Sequence, residues 1–153
     1  MIVVSDTSAL TSLIHVGQLG LLRELYGSVL IPTAVHRELL RSHSPLPSFL
    51  EAREISDHKM ALRLEAELDL GEAEAIVLAK ETRANLLLID EKLGRQVAEL
   101  EGVPITGLMG VLVEAKRQSK LNSVRELVEL LEDRAGFRVS QAVKEEAFLA
   151  AGE

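Results

Sequence analysis

The apolar positions of this chain fall into short runs that alternate with longer segments of helical spacing. The runs predict strands at residues 2–5, 29–31, 53–56, 86–89 and 103–106. Apolar residues that recur three or four positions apart predict helices at residues 8–16, 18–26, 32–41, 57–68, 72–83, 91–100, 107–119, 123–135 and 140–151. Short strands that alternate with helices indicate a parallel sheet covered on both faces. The predicted fold is a three-layer α/β/α domain over residues 1–153, with a central parallel sheet of four to five short strands.

Several residues mark where the predicted helices begin. Pro32 suits the first turn of a helix, because its missing N–H is not needed there. Gly71 interrupts the helical pattern just before residue 72, and Asp57 and Ser140 are suitable first residues for helices. The segment Ser123-Val-Arg-Glu126 is typical of a capping box, in which the serine and the glutamate each satisfy a free helix N–H.

Composition limits the class of protein. Hydrophobic residues make up 47% of the chain and aromatic residues only 3%, so a folded domain with an aliphatic core is expected. The absence of cysteine excludes disulfides and thiolate metal sites and fits a cytoplasmic location. No apolar run approaches the roughly 20 residues of a membrane helix. A formal net charge of −7 argues against a protein that coats DNA, although an enzyme could still reach phosphates through bound metal.

Acidic residues follow two of the predicted strands. Asp6 comes directly after the first strand, and Asp90 and Glu91 follow the Leu-Leu-Leu-Ile strand at residues 86–89. Because ligands of parallel α/β sheets bind beyond the carboxyl ends of the strands, these acids are expected at one shared edge. The alternative for each of them is a simple helix cap or turn residue.

Glu38 is a third candidate acid, in a predicted helix. It lies three residues after Val35 and directly before Leu39, which places it beside the buried face of that helix. A carboxylate there costs free energy unless a cation or another partner compensates it. The alternative is a salt bridge at the rim of the helix, to Arg37 or Arg41.

A run of acids without any base leads into the predicted helix at residues 72–83: Glu65, Glu67, Asp69, Glu72 and Glu74. Glu74 has Val77 and Leu78 at helical offsets and is expected at the apolar margin, whereas Glu72 is expected on the surface of the first turn. The run could also be an ordinary solvated face. Converging carboxylates, however, repel one another and are retained mainly where they bind a hard cation such as Mg²⁺ or Mn²⁺.

Four segments carry these acids in order: VVSDTSAL, IPTAVHREL, LDLGEAEAIVLAKE and LLLIDEKLGRQVAE. In these segments the chain resembles a PIN domain, the ribonuclease fold of many prokaryotic toxin–antitoxin toxins. The stretch ITGLMGVLVEAKRQSKL and the ending FRVS…AGE are similar to a branch of short prokaryotic PIN proteins of poorly assigned function.

The resemblance implies a cluster of acids that holds Mg²⁺ or Mn²⁺ and cuts single-stranded RNA. By this resemblance the metal-binding and catalytic acids are Asp6, Glu38, Glu74 and Asp90. Ser8 matches a small polar residue that orients water or a ligating carboxylate. The sequence departs from the toxins at the third acid, which is glutamate where aspartate is usual, and at the fourth, which is followed by a second acid, Glu91.

Basic residues near the fourth acid could contact RNA. Lys92 and Arg95 follow Asp90 and could touch the RNA backbone, or they could be solvated charges on a helix face. Another small basic group follows later in the chain, at residues 116–120. The four histidines show no metal-ligand spacing and are expected to be structural or on the surface.

The resemblance also implies partners. Toxins of this family commonly form homodimers and bind an antitoxin protein. The apolar residues of the helix at residues 123–135 could serve such a contact or pack on the sheet: Leu127, Val128, Leu130 and Leu131. The alternative function is a catalytically weak or inactive PIN-like module that binds nucleic acid or protein.

Two other α/β classes fit the acids less well. A receiver domain carries its phosphorylated aspartate after the third strand, whereas here the acids follow the first and fourth strands and lie on two helices. A Rossmann domain needs a glycine-rich turn after the first strand, and the segment SDTSAL contains no glycine.

Overall fold

A five-stranded parallel sheet lies at the centre of the computed structural model, which describes residues 1–153. The strands are β1 (Val3–Ser5), β2 (Val29–Pro32), β3 (Leu50–Arg53), β4 (Leu86–Leu88) and β5 (Ile105–Thr106). Their order across the sheet is β3-β2-β1-β4-β5, and every neighbouring pair is parallel. The central strand β1 therefore has β2 on one side and β4 on the other, and the chain builds the sheet outward in both directions from it.

Helices cover both faces of the sheet. They are α1 (Thr7–His15), α2 (Gly20–Tyr26), α3 (Thr33–Leu40), α4 (His58–Leu64), α5 (Leu70–Glu81), α6 (Lys92–Leu100), α7 (Leu108–Arg117), α8 (Val124–Arg134) and α9 (Gln141–Ala150). One core lies between the sheet and α1, α2, α3, α7, α8 and α9, and a second core lies between the sheet and α4, α5 and α6. Successive residues of a strand enter opposite cores, as Val3 and Val4 do. The predicted three-layer parallel fold is confirmed.

None of these helices combines the length and the apolar character that a membrane span requires.

Several element boundaries differ from the sequence-based prediction, among them those of β3 and β2. The third strand was expected at residues 53–56, but β3 ends at Arg53, because its register is set by pairing with β2 from Val29↔Leu50 to Pro32↔Arg53. Pro32 ends β2 and precedes the first turn of α3, so the prediction that it lies inside that turn is wrong.

The start of α5 also differs from the prediction, and this shift matters for the site. The helix begins at Leu70, so Gly71 lies inside its first turn and does not interrupt it. Asp69 provides the cap: its side chain accepts a hydrogen bond from the Glu72 amide, and the Glu72 side chain accepts one from the Asp69 amide. A Cβ atom at position 71 would lie 3.3 Å from the Glu38 carboxylate, so glycine permits the close approach of α3 to α5.

The apolar residues of α8 pack inside the protein. Leu127, Val128 and Leu131 belong to the core beneath α1 and α7, and only Leu130 is exposed, by 36%. The sequence left open whether these four residues pack on the sheet or contact a partner protein, and three of them pack in the core on the sheet side.

The first turn of α8 is held by Glu153, which follows α9. Ser123 accepts a hydrogen bond from the Glu126 amide, as the capping-box pattern predicts. The second half of the predicted box, a bond from the Ser123 amide to the Glu126 side chain, is not formed; instead the Glu153 carboxylate accepts from the Val124 amide at 2.7 Å and the Arg125 amide at 3.1 Å. The same carboxylate pairs with Lys116 at 3.0 Å, so Glu153 links α7, α8 and α9.

Glu153→Ala is expected to lower the free energy of unfolding by about 1–2 kcal/mol, because two helix amides lose their partner. Burial raises the pKa of Glu153, but the hydrogen bonds from the two amides and from Lys116 lower it to about 2. The stabilisation is therefore complete above the ordinary value of 4.5 and is lost as the pH falls toward 2. Urea unfolding of the parent and variant over this pH range measures the effect. Glu129→Ala, at an exposed position of α8, is the control. An equal loss of unfolding free energy in both variants would contradict the role of Glu153 as the partner of the two α8 amides.

Candidate metal centre

An open cavity of about 340 Å³ lies at the carboxyl ends of β1 and β4. It is lined by four hydroxyl-bearing residues from Thr7 to Ser12, by Ala135 and by five carboxylates: Asp6, Glu38, Asp69, Glu72 and Glu91. No basic side chain lines it. The predicted convergence of acids at this edge of the sheet is therefore present, although the membership of the cluster differs from the prediction.

Asp6 lies at the bottom of this cavity and is only 2% exposed. Its amide donates to the Leu88 carbonyl of β4 at 3.1 Å, so the residue is fixed between the two central strands. One carboxylate oxygen, Oδ2, lies 3.5 Å from the Ser8 hydroxyl, and the other, Oδ1, is buried without a hydrogen-bond partner. Burial, together with the charge of Asp90, raises the pKa of Asp6 well above its usual value.

Glu72 is the second buried acid of the cavity. It is 8% exposed, so the prediction that it lies on the surface is wrong. The Asp69 cap fixes its backbone, and its Oε2 atom is buried without a partner. A Cβ atom at Gly94 would lie 2.9 Å from Oε2, so glycine in α6 leaves space for this carboxylate. Burial, and then the charges of Asp69 and Glu91, raise the pKa of Glu72 to about 7.

Glu38 lines the same cavity from α3 and is exposed. The Thr7 hydroxyl donates to its Oε2 atom at 2.7 Å, which orients the carboxylate. None of the ion pairs in the structure involves Glu38, so the alternative of a rim salt bridge to Arg37 or Arg41 is not realised.

Glu74, the predicted third acid, is placed elsewhere. Its Oε1 atom accepts a hydrogen bond from the Ala34 amide at 3.0 Å, and the residue does not line the cavity. Glu74 thus satisfies a free amide in the first turn of α3. Since α5 begins at Leu70, Glu72 occupies its first turn and faces the cavity. The spacing Asp69-x-x-Glu72 is a capping-box pattern. This pattern in the sequence indicates that the helix begins directly after Asp69 and that Glu72 lies in its first turn.

Asp90 and Glu91, the two candidates for the fourth acid, have different surroundings. The Oδ1 atom of Asp90 accepts from the Leu108 amide at 2.9 Å and so caps α7. Burial raises the pKa of Asp90, although the Leu108 amide and Arg95 oppose the shift. Glu91 makes no capping hydrogen bond and lines the cavity with an exposed side chain. Glu91 therefore faces the cavity, whereas the charge of Asp90 raises the pKa of Asp6.

The two basic residues next to this pair also differ. Arg95 is half-buried, and its Nη1 atom donates to the Ile89 carbonyl at 3.0 Å, so it supports the turn after β4. Lys92 is exposed and forms no ion pair. Neither residue lines the cavity.

The donor set of the cavity fits a hard divalent cation. Two buried oxygens, Asp6 Oδ1 and Glu72 Oε2, have no partner, and carboxylate and hydroxyl oxygens are the ligands that Mg²⁺ and Mn²⁺ prefer. As the side chains stand, no three of the Asp, Glu and His residues are grouped closely enough to hold a metal ion. Metal binding therefore requires a side chain at the cavity wall, such as Glu38 or Glu91, to turn toward Asp6.

In the metal-free protein, the free energy of unfolding is expected to fall as the pH rises from 4.5 to about 7. The folded state keeps the Glu72 proton after the unfolded chain has lost its own, so the stabilisation is complete below 4.5 and disappears through about 7. A shift of this size corresponds to roughly 3 kcal/mol. Urea unfolding in a chelating buffer at several pH values measures the decline.

Glu72→Gln should reduce this decline by the share that Glu72 contributes, because the amide does not titrate, while Asp6 and Asp90, whose pKa values are also raised, keep their shares. Glu129→Gln, on the exposed surface of α8, is the matched control and should keep the parent profile. A parent whose stability does not change over this pH range would contradict the burial of an unpaired acid.

Comparison with known proteins agrees with the fold and with the resemblance noted in the sequence. No curated protein matches the chain in sequence. The sequence model of the family DUF3368, described as a PIN domain, matches residues 2–153, which is nearly the entire chain. PIN domains are generally nucleases, and the three-layer fold with a central parallel sheet is consistent with this family. The chain therefore belongs to the PIN-domain family.

Proposed function

We propose that this PIN domain is a metal-dependent endoribonuclease that cleaves single-stranded RNA. The observation that carries the proposal is the pair of buried, unpaired carboxylate oxygens, Asp6 Oδ1 and Glu72 Oε2, in a cavity without a basic side chain. An ionised carboxylate that is buried without a partner costs free energy, and a bound cation would offset that cost. The nuclease character of the family points to the same chemistry.

The proposed metal-binding acids are Asp6, Glu38 and Glu72, together with Glu91 or Asp90 as the fourth. Glu72 replaces Glu74 in this set, because Glu74 is bonded to the Ala34 amide. A bound Mg²⁺ or Mn²⁺ would neutralise charge on the scissile phosphate and lower the pKa of an attacking water. Thr7 keeps Glu38 oriented, and the Asp69 cap keeps Glu72 at the cavity wall.

The shape and lining of the site support the proposed substrate. The cavity is open, and hydroxyl groups of α1, including those of Ser8 and Ser12, line it beside the acids. Hydroxyls can donate hydrogen bonds to phosphate oxygens without adding charge. A strand whose phosphodiester bond is not held in a duplex can reach such a cavity more easily than a rigid helix can.

We also propose a biological setting, a cytoplasmic toxin of a toxin–antitoxin pair that forms a homodimer. The resemblance of VVSDTSAL and the later segments to such toxins supports it. Leu62, Leu100 and Leu149 are 71%, 86% and 80% exposed and offer apolar surface for protein contacts. The continuous five-stranded sheet supports one domain over residues 1–153. Growth arrest on expression of the parent but not of an Asp6→Asn variant tests the toxin role.

Asp6→Asn is expected to lower Mn²⁺-dependent cleavage of single-stranded RNA by at least about 100-fold, since even residues that only support a metal ligand contribute 10–100-fold. The melting temperature of the metal-free variant should be equal to or higher than that of the parent, because a buried unpaired charge is removed. A gel assay with labelled RNA and a thermal melt measure the two effects. An Asp6→Asn variant as active as the parent would overturn the assignment.

Glu72→Gln and Glu74→Gln form a matched pair on one helix. Glu72→Gln should weaken Mn²⁺ binding and abolish cleavage. Glu74→Gln should keep both and cost only about 0.3–1 kcal/mol of stability, because the charge near the first turn of α3 is lost. Calorimetric Mn²⁺ titration and urea unfolding measure the two variants. The reverse pattern would assign the third acid to Glu74.

A further inference from the structure

A second cavity of about 260 Å³ adjoins the acidic one. The two share Ser8, Ser12, Glu91 and Ala135, so they form one continuous surface at the edge of the sheet. The second cavity adds Asp90 and the turn after α8, from Gly136 to Arg138. Among the residues that line either cavity, Arg138 is the only one with a basic side chain.

The turn after α8 places Arg138 at this edge. Gly136 has a positive φ of 65°, which turns the chain, and the Phe137 amide donates back to the Leu131 carbonyl at 3.1 Å. Phe137 packs against the core and anchors the turn. The Nη1 atom of Arg138 donates to the carbonyls of Glu132 at 3.0 Å and Phe137 at 2.8 Å. The guanidinium is therefore held by neutral backbone oxygens, and no carboxylate neutralises its charge.

These contacts leave part of the guanidinium free. A guanidinium carries five N–H donors in a planar fork, and the two contacts to carbonyls use Nη1 alone. The remaining edge can bind a phosphate through two parallel hydrogen bonds. Arg95, the other arginine near the site, is occupied with the Ile89 carbonyl.

We propose that Arg138 binds a backbone phosphate of the single-stranded RNA substrate, beside the acidic cavity in which cleavage takes place. This inference rests on the proposed ribonuclease function. The turn of residues 135–138 would then contact the RNA strand through a backbone phosphate and not through the bases, so the contact would not depend on the RNA sequence. Such a contact contributes charge, so its strength depends on salt concentration.

The experiment measures binding separately from cleavage. Fluorescence anisotropy of a short fluorescein-labelled single-stranded RNA is recorded with Asp6→Asn protein in Mg²⁺ buffer, with and without Arg138→Gln. The second substitution is expected to weaken binding about tenfold and to reduce the slope of log K against log salt by about 0.7, the value for one phosphate contact on a single strand. Arg138→Lys, which keeps the charge, should restore part of the affinity.

Arg83→Gln is the control, because Arg83 is exposed and precedes β4, at the opposite edge of the sheet from the cavity. It should leave affinity and salt slope unchanged. Unchanged binding in Arg138→Gln, or equal losses in Arg138→Gln and Arg83→Gln, would overturn the inference even if the parent cleaves RNA. An Arg138-dependent affinity in a parent that does not cleave would support the phosphate contact and count against the ribonuclease function alone. A thermal melt of each variant checks that it is folded. If Arg138→Gln does not fold, the Arg138→Lys variant decides between the outcomes. An Arg138→Lys protein that is folded but has lost all of the salt-dependent RNA binding attributed to Arg138 would overturn the inference.

Discussion

The structure depends on the confinement of like charges at the carboxyl edge of β1 and β4. The Asp6 amide donates to β4, and the Glu72 amide donates to the Asp69 cap at the start of α5. These hydrogen bonds hold both backbones in place, so the two carboxylates cannot move apart. Both side chains are buried, and each keeps one oxygen without a partner. In a medium of low dielectric constant this arrangement favours the protonated acids or the presence of a cation. Stability, pH dependence and ligand chemistry are therefore coupled at this one edge.

Other acids at the same edge have partners, which makes the two unpaired oxygens informative. Asp90 accepts from the first amide of α7, Glu74 accepts from an amide in the first turn of α3, and Asp69 caps α5. Each of these carboxylates satisfies a helix terminus and gains from the helix dipole. If capping were the only reason for acids at this edge, no buried carboxylate oxygen of Asp6 or Glu72 would be left without a partner. The two unpaired oxygens are therefore the ones that remain available to a ligand.

The sequence predicted the fold more completely than it predicted the site. Short apolar runs and period-3.6 patterns act over a few residues, so the parallel sheet and the helices could be predicted, with errors confined to boundaries such as Leu50–Arg53. The choice between Glu72 and Glu74 depends on where α5 begins, and a shift of two residues reverses which side chain faces the cavity. The choice between Asp90 and Glu91 depends on the Leu108 amide, 18 residues away in the chain. A sequence pattern that spans only a few residues cannot reveal a contact between residues so far apart in the chain.

On the proposed function, the distribution of charge couples metal binding to RNA binding. Five carboxylates line the first cavity, and the single basic residue, Arg138, lies at its neighbour. With a net charge of −7 and five carboxylates in one cavity, the protein repels a polyanion over the range of the Debye length. On the proposed function, a bound cation would reduce this repulsion and relieve the buried acids in the same step. RNA binding would then be strengthened by the cation at the cavity and by the charge of Arg138 beside it.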